Sequence, residues 1–296
     1  MTIQHSHAHA NPKSPLKRSF SRLYILMVAA ALSVAMILSA PAQAAGPAFN
    51  ELTQGDFDNA IRELSGNATY HSVTGASSLG ALFGVEVGLV AGLTSTPEID
   101  KLSKQADPNA SVSQLPHASL LAAVSVPMGF TIEALLFPSI SVGEVKYQQF
   151  GGSVKWTSGD VLMLPFNLAA RAFFTKNEMS FGQTLNNTST GNVPVAVDVK
   201  QENSQYGLQI LASPNLPFIE PYIGIGTVSA KGSLAVSGAT TGTIFNFTSA
   251  QKAESSPTST QFILGVNANL LLLNLGLEYN RVFSTDSYNF KLGFKF

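Results

Sequence analysis

The chain has 296 residues, of which 45% are hydrophobic and only 12% charged; it is too apolar for a disordered polymer and poor in charge for a soluble domain. Its 17 basic residues nearly balance 18 acidic ones, but Lys13, Lys17, Arg18 and Arg22 all precede the first acidic residue, Glu51. The remainder of the chain is mildly acidic, without the basic block that nucleic acid requires. Cysteine is absent, which excludes disulfides, thiolate metal sites, thiol nucleophiles and a lipidated cysteine.

Lys13 to Arg22 form a positive region, Leu23 to Leu38 an uncharged apolar run, and Ala42-Gln43-Ala44 a small-residue ending. These are the three parts of a secretory leader, and they predict cleavage after Ala44. The alternative, a retained anchor, requires an apolar run longer than this one. His5, His7 and His9 alternate like a metal-binding tract but lie upstream of the cut, so no metal or cofactor is expected.

Residues 45–78 read as a periplasmic segment. Within it Phe57, Ala60, Ile61 and Leu64 share one helical face. Asp56 and Asp58 suit the first turn of a helix, and Gly66 suits a stop just beyond Leu64. The expected place for this short helix is the rim of a barrel, with a plug or a cover as the alternative.

From residue 79 the period becomes two. Phe83, Val85, Val87, Leu89, Ala91 and Leu93 form an apolar face opposite Gly84, Glu86, Gly88 and Gly92, with Val90 the one apolar exception. The same alternation recurs over Phe166–Thr175, Tyr206–Ala212, Thr260–Ala268, Leu271–Phe283 and Tyr288–Phe296. Ser119–Phe137 is apolar enough for a membrane helix, but Pro127, Gly129 and Glu133 favour two strands turning at Met128-Gly129. Repeated strands of about 9–11 residues with uncharged apolar faces predict an all-β fold, a transmembrane antiparallel up-and-down β-barrel. We count about ten strands, with about 8–12 compatible, over residues 79–296.

Strands near 81–94, 118–127, 130–138, 148–157, 166–176, 195–213, 218–231, 258–269, 271–284 and 287–296 place four turns at one end, at Met128-Gly129, Ser158–Pro165, Pro214–Pro217 and near Leu270, three of them short. The other end receives the loops Ser95–His117, Ser139–Tyr147, Asn177–Pro194, Gly232–Pro257 and Ser284–Asp286. Three of these five are long and polar, the asymmetry of an outer-membrane barrel. The sixth strand is too long for one span and changes phase near Lys200–Gln205, which predicts a bulge or an extension beyond the membrane.

The chain thereby resembles Gram-negative outer-membrane β-barrel proteins over residues 79 to 296. The most specific match is the last strand, in which Tyr288, Phe290, Leu292, Phe294 and the terminal Phe296 alternate with Asn289, Lys291, Gly293 and Lys295. The resemblance implies that these five outward residues signal to the barrel-assembly machinery. GVEVGLVAG and LPFNLAARAFFTK are similar to an uncharacterised group of predicted barrels and imply no activity. Ten-strand members of the wider class include surface proteases, whose acidic and histidine catalytic groups are not assigned to residues of this sequence.

Glu86, Glu133, Arg171, Glu278, Lys291 and Lys295 fall on inward positions and are the candidate lumen-lining residues. They read as a polar pathway or as an ion-paired filling of a narrow barrel. Tyr206, Tyr222, Tyr279, Tyr288 and Trp156 are candidates for interfacial girdles. His117, with Ser119 and Asp100 or Asp107, is the one conceivable hydrolytic group, a remote option without geometry to support it. The leading expectation is a narrow channel or small-molecule transporter in the outer membrane, not an enzyme, in contact with its lipid. The alternative is a plugged structural or surface-interaction barrel.

Overall fold

A strand with alternating faces needs apolar surroundings on one side and a filled interior on the other. A sheet of such strands leaves no exposed edge only if it closes. The computed structural model describes residues 54–80, 83–106, 111–142, 145–159, 165–187, 193–239 and 248–296. The predicted leader and its cleavage site lie outside the described residues. The elements are α1 (Gln54–Asn67), β1 (Gly84–Ser95), α2 (Pro97–Ala106), β2 (Gln114–Val126), β3 (Phe130–Val142) and β4 (Val145–Thr157). They continue with β5 (Phe166–Asn187), β6 (Val193–Pro214), β7 (Ile219–Ala239), β8 (Thr248–Ser255), β9 (Thr258–Leu270), β10 (Leu273–Val282) and β11 (Thr285–Lys295).

All neighbouring strands are antiparallel. The ring runs from β1 to β7 in chain order, then through β9, β10 and β11 back to β1. Strand β8 pairs with the far half of β7 in the register that β9 keeps with its near half, Gly232 facing Ser255 and Ser229 facing Thr258. It is therefore one strand with β9, interrupted at Ser256 and Pro257, where Pro257 O accepts from Ala230 N at 2.9 Å. Ten strands close the barrel. At the seam Val85 N donates to Phe296 O (3.0 Å) and Phe296 N to Val85 O (2.8 Å).

The β2–β3 hairpin turns at Met128 and Gly129, both at positive φ (73° and 78°), so this apolar stretch makes two strands as its Pro and Gly imply. Outward faces carry the large apolar residues, for example Leu208 (62% exposed), Ile223 (62%) and Leu264 (58%). Similar residues stand outward on β1 to β7 and β9 to β11. A continuous apolar belt of this kind is foreign to soluble monomers and matches lipid contact. Tyr206 and Tyr288 are exposed on this outer surface, with Tyr279 5.5 Å from Tyr288. Tyr222 is not a girdle residue. It is 2% exposed and points inward, because Pro221 and Ile223 take the outward positions of β7.

The wall is taller than its apolar pattern predicts. β5 and β6 pair without a register shift from Phe166 facing Pro214 to Asn187 facing Val193. The expected loop Asn177–Pro194 is thus mostly hairpin, and no bulge occurs near Lys200–Gln205. Outward positions beyond Tyr206 become Ser204, Glu202 and Lys200, while the inward Gln205, Asn203 and Gln201 stay buried. The face turns polar above the belt without changing phase. The loop Ser95–His117 likewise contains α2, and much of Gly232–Pro257 belongs to β7 and β8.

The N-terminal segment does not stand apart from the barrel. α1 runs past Gly66 to Asn67 and lies at the long-loop end, with Ile61 against Gly232 and Gly66 against Thr285. Glu63 accepts from the first free N–H groups of α2, Glu98 N at 2.8 Å and Ile99 N at 2.9 Å. Residues 65–76 are all buried, and the chain descends the lumen to Leu79, whose N–H donates to Ser125 Oγ (3.0 Å) near the short-turn end. Only then does β1 begin. The helix expected on the rim lies at the mouth of the long-loop end, whereas residues 65–79, expected ahead of the barrel, fill its interior.

Candidate functional site: the filled lumen

Residues 68–79 (ATYHSVTGASSL) have no regular structure, so their backbone polar groups draw partners from α1 and from the wall. Inward side chains supply them. Gln149 Nε2 and Thr175 Oγ1 donate to Ala68 O (3.3 and 3.1 Å), and Thr157 Oγ1 to Ala76 O (2.9 Å). Lys155 Nζ donates to Gly75 O (2.9 Å) and Ser77 O (2.8 Å), and Glu220 Oε1 accepts from Ser77 N (2.8 Å). Asn203 and Gln205 reach Ser65 at the end of α1.

Charge gathers at the middle. Glu133 on β3 accepts from Tyr70 Oη (3.0 Å), Thr74 Oγ1 (2.9 Å) and Ser153 Oγ (3.0 Å), with Arg171 Nη2 3.6 Å away. Arg171 also donates to Gln209 Oε1 and Thr74 O (3.1 Å each) and to Thr74 Oγ1, and its guanidinium lies over the Tyr70 ring. Both charges are thus compensated twice, by each other and by the segment. Glu86 and Lys291 form a second pair at 2.9 Å, and Glu278 accepts from Tyr222 Oη at 2.9 Å. Five of the six inward charges read from the sequence are at most 5% exposed. The sixth, Lys295, is half-buried at the short-turn end.

Large inward rings are accommodated by glycine on the neighbouring strand. Phe173 stacks on Tyr70 at 5.3 Å and faces Gly207; Tyr222 faces Gly265. A Cβ at either glycine would run into the ring. Lys155, Glu220 and Tyr70, which carry much of the interior hydrogen bonding, were not singled out in the sequence. Strand phase marks Lys155 and Glu220 as inward, whereas nothing in the local sequence distinguishes Tyr70 from a linker residue.

Near the long-loop end His71 and His117 stack at 4.7 Å with an interplanar angle of 16°. Nδ1 of His117 lies 3.0 Å from Asn67 Oδ1 and its Nε2 2.7 Å from Asn289 Oδ1. Ser119 Oγ donates to Ala118 O, and Asp100 bonds Lys104, Ser111 and the backbone of Val112. These contacts do not bring the residues of the hydrolytic option together, and Asp107 lies outside the described residues. Burial pushes the Glu63 carboxyl up against the opposing pull of its two N–H donors, while the hydrogen bond from Lys104 holds Asp100 down. Among the described residues no three His, Asp or Glu side chains converge as a metal site would require.

The molecule is a closed up-and-down β-barrel of the membrane-spanning type, its lumen occupied by its own N-terminal segment. The chain belongs to a family of unknown function, DUF6588, whose model matches residues 51–296. No curated protein matches the sequence. Solved structures that it resembles are outer-membrane barrels. The outer membrane protease OmpT from Escherichia coli is 12% identical, with a TM-score of 0.41 over 72% of this chain and 96% of its own. The translocator domain of the autotransporter NalP from Neisseria meningitidis is 10% identical, at 0.39 over 73% and 89%. The toluene transporter TodX from Pseudomonas putida is 6% identical, at 0.38 over 80% and 96%.

Proposed function

We propose that the protein works as a plugged barrel in the outer membrane of a Gram-negative cell, holding its long-loop end at the surface for interaction with a partner there. The observation that carries this reading is the seating of residues 65–76, all buried and bonded to inward side chains on β3, β4, β5 and β6. A permeation path needs a hydrated lumen, and this one is filled with protein. The apolar belt supports lipid as its surroundings. The outward Tyr288, Phe290 and Phe296 on the last strand, with Leu292 and Phe294 between them, support recognition by the assembly machinery. The leader Met1–Ala44 supports export. In this orientation the turns Met128-Gly129 and Pro214–Pro217 face the periplasm.

A second reading, a narrow channel or small-molecule transporter opened by displacing the segment, draws on one observation. Several buried amides, including Gln201 and Gln261, leave polar atoms without hydrogen-bond partners among the described residues, as in a lumen with room for water. Planar-bilayer recording separates the two. A plugged barrel is silent at neutral pH, whereas single-channel steps at neutral pH would refute it.

A further inference from the structure

The mature chain's two histidines meet face to face inside the barrel, one on the lumenal segment and one on the wall, which is the arrangement of a latch. His71 is 3% and His117 8% exposed. A neutral ring suits His71. With a proton on Nε2, His71 donates to Gly66 O (3.3 Å), and its Nδ1 accepts from Asn280 Nδ2 (3.5 Å). His117 lies between the amide oxygens of Asn67 and Asn289, with Thr94 Oγ1 3.4 Å from its Nδ1. A first proton is tolerated on His117, since both of its nitrogens could then donate to those oxygens. A second, on His71, turns Nδ1 into a donor facing the Asn280 amide and sets two positive rings against each other at 4.7 Å.

Among the described residues no carboxylate faces the rings, and the Gly66 carbonyl at the end of α1 and the two asparagine oxygens are the groups there that favour a proton. The groups facing the rings are Gly66 O and Asn67 from α1, Thr94 from β1, Asn280 from β10 and Asn289 from β11, all neutral. The next inward ionisable groups toward the short-turn end are Glu278 on β10, bonded to Tyr222, and Lys291 on β11, paired with Glu86. Glu63 on α1 is bonded to α2.

We propose that His71 and His117 form an acid-sensitive latch that holds the lumenal segment to the wall when neutral and releases it when both are protonated; this rests on the plugged-barrel reading above. Histidine is the side chain whose ordinary titration lies closest to neutrality, so acid is the signal. The test uses the purified barrel in lipid, with a nitroxide on Asn59→Cys reporting the mobility of α1. Lowering the pH stepwise from about 7.5 to about 3, far enough to charge two buried rings, mobilises the label and opens conductance in planar bilayers. His117→Phe and the His71→Phe/His117→Phe double variant, which keep a stacked ring without its charge, stay immobile and silent across the same range. An unchanged wild-type label overturns the latch, and so does acid release that persists in the Phe variants, which would assign it to Glu278 or Glu63. Conductance at neutral pH refutes the plugged reading instead and is recognised before any acid is added.

Discussion

Glu86 on the first strand and Lys291 on the last form an ion pair of 2.9 Å across the closing seam, each at most 1% exposed. Neither carboxylate oxygen has a well-directed hydrogen bond, so the attraction between the two charges is the main compensation for their burial. Removing one partner leaves a stranded charge, which costs about 3–5 kcal/mol, whereas replacing both with neutral groups is often close to neutral. Lys291→Met should lower stability by about that amount in urea titration in lipid vesicles, and Glu86→Gln/Lys291→Met should recover most of it. Equal losses in the single and double variants would show that the pair does not act as a unit.

The seating of α1 at the long-loop end sets a topology that can be read with single cysteines, since the chain has none of its own. Asn59 is exposed on α1 and Asn215 on the β6–β7 turn at the opposite end. A membrane-impermeant maleimide should label Asn59→Cys on intact cells and Asn215→Cys only after permeabilisation. The reverse pattern would invert the barrel, and labelling of both on intact cells would break the assignment of ends.

The apolar belt predicts a sharp dependence on position along one outward face of β6. Leu208→Arg, within the belt, should cost about 2–4 kcal/mol of stability in lipid. Ser204→Arg, above Tyr206 where the face has become polar, should change it by less than about 1 kcal/mol. Similar penalties at the two positions would contradict a lipid boundary near Tyr206.

Glu63 joins the lumenal segment to the outer loop by capping α2, with one oxygen on each of two N–H groups. Glu63→Ala removes both bonds and should cost about 1–2 kcal/mol. Tryptic nicking at the exposed Lys101 and Lys104 should rise several-fold in the variant, and unchanged nicking would mean that the cap does not hold α2.

The ten strands and the direction of their side chains were legible because a wall between lipid and a packed interior enforces a period of two, which β1, β5, β9 and β10 write plainly. The height of β5 and β6 was not, because above Tyr206 both faces are polar and alternation loses its hydrophobic contrast. The inward charges Glu133 and Arg171 could be placed by phase alone. Their partners on residues 70–74 could not, because that stretch folds against the wall and has no period of its own. Its mix of two rings with small polar residues suits a crowded lumen and a linker equally, so the local sequence does not separate the two.

The course of the N-terminal segment also constrains the order of biogenesis. α1 sits at one mouth, yet its chain joins β1 at the other. A finished ring would have to pass a helix about 10–12 Å across through a bore crossed by Lys155, Arg171 and Tyr222. A folded α1 does not fit such a bore, so the course of the segment favours a sheet that curls around it before β1 pairs with β11. The segment then serves as a mandrel during assembly, and a chain that fails to seat it would accumulate as an open sheet.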